Sequence, residues 1–287
     1  MSTAMTEEEK REFIQGLTLM DNEFMCACFE KYPECAQAAL RIVIGQPDLL
    51  VQTVKTQEYR AHTTGRAVRT DITATDAEGR LFDIEMQSSD DGLLALRASY
   101  YLATLRATSL AKGEDFDKLP ETYIIFITAR DAFRRGQLLY HFEQRDATSG
   151  FALGDKAHII FVNGELRGES GDMPRLLHDL FCADPEQMFI PELAHAVREL
   201  KTTEEGQQIM NEANEKLLGK LRARWREEDL AEGRAEGRAE GRAEGEAKGR
   251  IATVLKMLKK GVMSLEDIAE CGDMSLTDVQ RLAAQAQ

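Results

Sequence analysis

The segment RLFDIEMQ, residues 80–87, alternates strictly, with Phe82, Ile84 and Met86 apolar and Asp83, Glu85 and Gln87 polar. That is the period of a strand with two unlike faces. VRTDITAT, residues 68–75, alternates in the same way. DAEG between them suits a type I turn with Gly79 left-handed, the three-residue hairpin loop closed by a glycine bulge. This turn pairs Asp76 with Arg80 and so predicts the register: Thr73 opposite Asp83, Asp71 opposite Glu85 and Arg69 opposite Gln87, all on one face. A loop closing one residue differently would set Asp71 against Ile84 and disperse the group.

Upstream, residues 7–60 read as mainly helical: EEEKREFIQGL and NEFMCACFEKY space their apolar residues as helices do, and Pro33 interrupts them. After GQPD (45–48) the texture changes, and Val51–Lys55 reads as a first strand. Downstream, SSDDG (88–92) offers N-cap candidates to a long amphipathic helix, LLALRASYYLATLRATSLAKG, with Gly113 as its C′ glycine. TYIIFIT (122–128) is a continuous run of β-formers, the signature of a strand buried on both faces, and HIIFVNG (158–164) is another. Strand, helix, strand at this spacing implies a right-handed crossover onto a sheet. Residues 173–200 return to helical texture. The predicted order is α, β, β, β, α, β, β, a mixed α/β sheet flanked by helices.

From about residue 201 the composition shifts. AEGRAEGRAEGRAEGEAKGR (231–250) repeats every four residues. A glycine per repeat costs about 1 kcal/mol against alanine in a helix. Four residues advance about 400°, so no fixed apolar stripe forms. A solvated, imperfect helical spacer is the expectation, favoured over a glycine packing motif. Its acids and bases nearly balance, which makes it a poor polybasic arm. The last segment carries two S-x-x-D helix starts, Ser264 with Asp267 and Ser275 with Asp278, around a CGDM turn resembling that of a helix-turn-helix. Its second helix offers Gln280 and Arg281 but few other base-reading side chains. Association, of copies or partners, is at least as good a reading as DNA recognition. The expected organisation is a domain over 1–200, a charged helical spacer over 201–250 and a small all-α module over 251–287.

Composition adds limits. The chain has 287 residues, 43% hydrophobic and 30% charged, enough for one substantial domain plus an accessory segment. It has no run near the roughly 18 apolar residues of a membrane span. The acidic start MSTAMTEEEKRE lacks the apolar stretch of a signal peptide, so a cytoplasmic location is expected. A formal net charge of −14 argues against nonspecific coating of nucleic acid, but not against a local basic groove around an acidic centre. The five cysteines lack CxxC spacing and the five histidines are dispersed. Cys26, Cys28 and Cys35 are read as buried thiols before metal ligands.

The hairpin is where chemistry is concentrated. Opposed like charges destabilise a sheet, so something must offset Asp71 against Glu85. A hard divalent cation would do so. So would Arg69, bridging both acids as a cross-strand ion pair, or plain solvent over the wet face of an antiparallel sheet. The pattern alone leaves the three open.

From VKTQ through RTDITATDAEGRLFDIEMQ, RASYYLATLRATSLAKGEDFDKLPETYIIFIT and HIIFVNG to LLHDLFCADPEQM, roughly residues 20–200, the chain resembles the Rpn family. These are recombination-promoting nucleases, also described as PD-(D/E)XK nuclease family transposases. DIEMQ and LPETYIIFIT are the most specific blocks. The resemblance implies a restriction-endonuclease-like fold with an all-α C-terminal extension. It also implies an active site in which Asp71 matches the first acid, Glu85 the second, and Gln87 the lysine position; Thr70 replaces the nominal proline. A neutral amide cannot offset charge as an ammonium would, but its oxygen can orient water and its NH₂ can hold phosphate.

What the resemblance implies is metal-assisted phosphodiester hydrolysis, with Mg²⁺ or another divalent cation held by Asp71, Glu85 and the Met86 carbonyl. Asp83 is then a rim acid or a second-ion ligand, with a solvated or Thr73-bonded carboxylate as the plainer reading. Arg97 and Tyr101 share a helix face at i,i+4, and Arg97 divides between a phosphate clamp and a salt bridge to Asp90 or Asp91. Tyr100 and Tyr101 are core or rim aromatics before they are base-stacking residues. Arg69 divides between phosphate contact and an internal ion pair. The expected activity is DNA cleavage tied to recombination, mobile elements or phage defence, with RNA open as a substrate and self-association through the C-terminal helices. The rivals are a catalytically silent nucleic-acid-binding or regulatory protein on the same scaffold, and an oligomerisation scaffold driven by the tail.

Overall fold

The hairpin forms as its turn chemistry dictates. In the computed structural model, which describes residues 7–60, 66–88, 92–210, 212, 249, 251–259 and 262–285, β4 (Ile72–Asp76) and β5 (Leu81–Gln87) pair antiparallel with Thr73 opposite Asp83 and Ile72 opposite Ile84. Gly79 sits at φ 77°, and the Asp76 N–H donates to the Arg80 carbonyl at 3.2 Å. The Asp76 carboxylate fixes the turn further by accepting from the Arg80 N–H at 2.8 Å and from Arg80 Nε at 2.5 Å.

Around this hairpin lies a six-stranded sheet in the order β1-β4-β5-β6-β8-β7, with β1 (Val51–Thr56), β6 (Thr122–Thr128), β7 (Leu139–Phe142) and β8 (Ala157–Asn163). β5, β6 and β8 run parallel, and the two flanks are antiparallel. β2 (Tyr59–Arg60) and β3 (Val68–Arg69) form a separate two-stranded pair. Helices α1 (Glu7–Gly16), α2 (Asn22–Lys31) and α3 (Pro33–Ile44), with α5 (Asp172–Phe181) and α6 (Pro191–Thr202), contribute to one core layer, which takes Phe82, Ile84 and Met86 from β5. On the other face α4 (Leu94–Ser109) lays Leu94, Ala98 and Leu105 over Ile124, Phe126 and Phe161. β6 is therefore covered on both sides, as its unbroken apolar run requires. This is a restriction-endonuclease-like α/β architecture.

Lys201, 1% exposed, joins the first layer to the N-terminal helices. Its ammonium donates to the carbonyls of Gln15, Leu17 and Ala183 at 2.8, 2.6 and 2.6 Å.

Three sequence expectations need correction. The predicted strand over 68–75 is broken: Thr70 and Asp71 leave the ladder, and only β4 continues in the main sheet. α4 ends at Ser109, before Gly113, because Thr108 and Ser109 turn their hydroxyls back onto the carbonyls of Thr104 and Arg106 while Leu110 is extended. Its N-cap is Leu93, with no capping side chain; Ser89, Asp90 and Asp91 lie outside the described residues. β7 has no counterpart in the sequence reading, since four residues at a sheet edge carry little periodicity.

The chain divides into two compact units, residues 1–217 and 218–287. In the second, residues 251–259, Leu265–Cys271 and Leu276–Gln285 are helical, and Val254, Ile268, Ala269 and Val279 form a small core. Ser264 and Ser275 accept from the N–H groups of Asp267 and Asp278, each at 3.1 Å, the two helix starts that S-x-x-D predicts. The AEGR repeat lies outside the described residues apart from Gly249. Among the described residues no helix is long and apolar enough to cross a membrane.

Candidate active site

The site is built at the point where the β4–β5 ladder stops. By the alternation of the ladder, residues 70 and 86 would form its next hydrogen-bonded pair. Instead the Thr70 N–H donates to the Glu58 carbonyl at 3.0 Å, and the Met86 N–H donates to Asp71 Oδ2 at 3.2 Å. The amide that would have met the Met86 carbonyl is thereby turned away. Asp71 bridges the gap: its own N–H donates to Glu85 Oε1 at 2.8 Å.

α2 closes the site from the side. Asn22 Nδ2 donates to Asp71 Oδ1 at 2.5 Å, and Asn22 Oδ1 accepts from Gln57 Nε2 at 3.2 Å, which orients the amide. α4 supplies Arg97, whose Nη1 donates to Gln87 Oε1 at 2.9 Å and whose guanidinium lies 5.9 Å from the Tyr101 ring and 5.7 Å from that of Phe126. Asp71, Glu85, Met86, Gln87, Arg69, Arg97 and Tyr101 line one open cavity of about 330 Å³, together with Asn22 and Glu23.

Electrostatically the site is acidic, and two of its acids are buried. Glu85 is 3% exposed and Asp83 0%. Burial, followed by Asp83 and Asp71, pushes the Glu85 carboxyl well above the usual range. Burial and then Asp71 do the same to Asp83. Asp71 is also raised by burial, against the lowering effect of the Asn22 and Met86 bonds. Burial and the Glu85 charge raise Tyr101. Three carboxyls in one poorly solvated place favour protons or a cation.

Several residues sit otherwise than the sequence suggests. Arg69 is not opposite Gln87: it pairs with Tyr59 in the β2–β3 ribbon, with its guanidinium 5.9 Å from that ring. It lines the cavity but, among the described residues, makes no ion pair with Asp71 or Glu85, so the cross-strand bridge is not what holds the acids together. The wet-face reading also fails, because Asp83 and Glu85 on the polar side of β5 are buried. Asp83 is no rim acid: it is fully buried, and Thr73 gives its hydroxyl to Glu58 at 2.7 Å instead. Both Asp83 oxygens lack a hydrogen-bond partner among the described residues. Asp90 and Asp91, the alternative partners of Arg97, lie outside the described residues. Tyr100 is 41% exposed and donates to the Arg66 carbonyl, away from the cavity.

Nothing in the sequence singles out Asn22 and Glu23, and the Asn22–Asp71 contact spans 49 positions. An amide and an acid opening a helix otherwise read as solvent-facing polarity. The three N-terminal cysteines are buried, and burial and then Asp71 push the Cys26 thiol to about 12, which keeps it protonated.

The donors present suit a hard cation. Asp71 and Glu85 offer carboxylate oxygens, the Met86 carbonyl has lost its ladder donor, and both Asp83 oxygens lack a hydrogen-bond partner among the described residues. Among the described residues no cluster of three or more histidine, cysteine or acidic side chains is set to hold a metal. Two carboxylates and a carbonyl are the low protein-ligand count that Mg²⁺ accepts.

A family model described as PD-(D/E)XK nuclease family transposase matches residues 49–228. The chain belongs to that family. The match takes in the hairpin, α4 and the parallel strands, and it begins after α3, so Asn22 and Glu23 lie outside it. No curated protein and no solved structure matches the chain. Membership of this PD-(D/E)XK family gives the acids of the broken hairpin a nuclease-type context, with nucleic acid as the substrate class.

Proposed function

We propose that the chain is a divalent-metal-dependent endonuclease that hydrolyses phosphodiester bonds in DNA. The observation that carries this reading is the meeting of Asp71 and Glu85 at the frayed end of the hairpin, inside a cavity that also holds Gln87 and Arg97. Asp71, Glu85 and the Met86 carbonyl would hold Mg²⁺ or a similar ion. Such a cation supplies Lewis-acid activation of water and neutralises charge developing on the phosphate.

The chain's own residues do the positioning. The Asp71 carboxylate is held by Asn22 and the Met86 amide, and Glu85 by the Asp71 amide, so the donor oxygens are fixed before substrate arrives. Gln87 and Arg97 act as a hydrogen-bonded pair: the guanidinium brings positive charge to the position where the superfamily pattern has lysine, and the amide orients water or phosphate. Asp83 stays behind them as a buried acid that strengthens the demand for a cation. The wider role follows the family: cytoplasmic DNA cleavage linked to recombination, mobile elements or phage defence, with the C-terminal helices as an association module.

The test is plasmid nicking by purified protein with and without Mg²⁺, alongside Glu85→Ala. Metal-stimulated cutting that vanishes in the variant supports the reading, and equal cutting by both proteins refutes it. Binding without any cutting favours the catalytically silent alternative.

A further inference from the structure

A second set of basic side chains stands on the segment that leaves β6, the strand next to the one that carries Glu85 and Gln87. Thr128, the last residue of β6, is the register partner of Gln87, and the following Ala129 N–H donates to the Gln87 carbonyl at 2.9 Å. The Thr128 hydroxyl donates to the Arg130 carbonyl at 2.7 Å, which ties the start of the loop to the strand end. The chain continues as RDAFRRG, residues 130–136, before β7. Arg130, Arg134 and Arg135 are exposed, and none forms an ion pair among the described residues. In a chain of 50 acidic and 36 basic residues, such a cluster runs against the background.

The loop is held firmly. Asp131 accepts from the N–H groups of Phe133, Arg135 and Gly136 at 3.0, 2.9 and 2.7 Å and from the Tyr140 hydroxyl at 2.8 Å, so its carboxylate is engaged with the loop rather than with a guanidinium. Phe133 anchors the loop edge-on against Tyr140 and Phe161 at 4.9 and 5.0 Å. Those rings belong to the α4 layer, the same side of the sheet on which Asp83, Glu85 and Gln87 lie. Arg134 takes φ 54°, a left-handed conformation that side-chain-bearing residues seldom adopt. The turn thus holds the backbone of three exposed arginines on the segment that follows the end of β6 paired with Gln87.

We propose that the β6–β7 loop is a phosphate clamp for the DNA that enters the candidate site, with Arg130, Arg134 and Arg135 contacting backbone phosphates outside the scissile one. The inference rests on the nuclease reading for its substrate and assigns the surface that lays the strand across Glu85 and Gln87. Contacts of this kind fix position and carry no sequence information. They also supply the local basic groove that an overall negative charge would otherwise deny the protein.

The experiment measures binding of a short DNA duplex by full-length protein carrying Glu85→Gln, so that cleavage does not intervene, across a range of salt concentrations. Combining Arg130→Gln, Arg134→Asn and Arg135→Gln should flatten the dependence of log affinity on log salt by about 2 to 3, close to one for each phosphate left without its guanidinium. Asparagine is chosen at 134 because it tolerates the left-handed backbone. Arg198→Gln, on α6 in the opposite layer, should leave the slope as it is. Should the triple variant fold poorly, Arg130→Gln and Arg135→Gln taken singly are each expected to lower the slope by about 1. An unchanged slope in these variants, or no DNA binding by the parent, overturns the clamp. A lost slope with no metal-stimulated cutting by wild type keeps the clamp and removes the nuclease reading; an unchanged slope with cutting intact does the reverse.

Discussion

The backbone N–H of Asp71 donates to the carboxylate of Glu85, 2.8 Å away across the hairpin, so two acids that repel through their charges are joined through a peptide group. The bond exists because β4 gives up its ladder at Thr70 and Asp71. Thr70, which would have paired with Met86, is drawn toward Glu58: its N–H donates to the Glu58 carbonyl, while the Asp71 carbonyl accepts from the Gln57 N–H on the β1 side. One local loss of sheet pairing therefore produces a fixed carboxylate pair and a carbonyl released from its donor.

Neutral isosteres should separate catalysis from folding. Asp71→Asn and Glu85→Gln keep an acceptor or amide of the same shape, yet each is expected to lower divalent-stimulated DNA cleavage by about a hundredfold or more. Without metal at pH 8, Glu85→Gln should melt at or above wild type, because a group whose charge burial disfavours has become neutral. Nicking assays and thermal melts in EDTA check both halves. A variant that melts far below wild type would assign Glu85 to the fold rather than to chemistry.

The same acids predict a pH dependence with a definite sign. Burial raises Asp71, Asp83 and Glu85 in the folded state, so the native protein binds more protons than the unfolded chain. Stability of the metal-free protein must then fall as pH rises from the ordinary carboxylate range, near 4, through the raised folded values. On the proposed reading Mg²⁺ would compete with protons for the same oxygens, and it should restore more stability at pH 8 than at pH 6. Melting temperatures across pH 5 to 9, with EDTA or with Mg²⁺, decide it; a metal effect that is flat with pH would show that these carboxyls are not the ligands.

Gln87 and Arg97 make a further case, because their bond predicts that restoring the superfamily lysine will fail. In Gln87→Lys an ammonium would face the Arg97 guanidinium, which now donates to the Gln87 oxygen at 2.9 Å. Loss of a charge-assisted hydrogen bond costs about 1.5–3 kcal/mol, roughly tenfold or more in rate if it is made in the transition state. Gln87→Lys and Arg97→Gln should each reduce cleavage, and the double variant should exceed Gln87→Lys alone. Additive losses in the double variant would mean that the two side chains act independently.

Much of this arrangement is legible in the chain, and the limits have physical causes. The turn DAEG fixes the hairpin register because Gly79 admits only a few closures, and the apolar run of β6 announces burial on both faces. S-x-x-D marks the two tail helices because the cap is a local bond. Period-two alternation distinguishes the faces of β5 but says nothing about what covers the polar one, so the burial of Asp83 and Glu85 is not readable from it. The break in β4 depends on Glu58, 12 positions from Thr70, whose hydroxyl also donates to that carbonyl. Asn22 meets Asp71 only once α2 has packed onto the sheet.

That packing carries the last prediction. Asn22 Nδ2 bonds Asp71 at 2.5 Å and is the strongest of the influences that hold its carboxyl down against burial. Asn22→Ala removes this donor, so the Asp71 pKa should climb further and metal loading should require higher pH. The expected result is a cleavage–pH profile displaced to the alkaline side, with near-normal activity at its upper end and a modest loss at neutral pH. Asn22→Asp should be worse, since it sets a fourth acid against Asp71. Because Asn22 is partly exposed and Lys201 ties the α1–α2 connection to α6 independently, the melting temperature of Asn22→Ala in EDTA should stay close to wild type. An unshifted profile would show that Asp71 is held in place without α2, and that the site needs nothing upstream of β1.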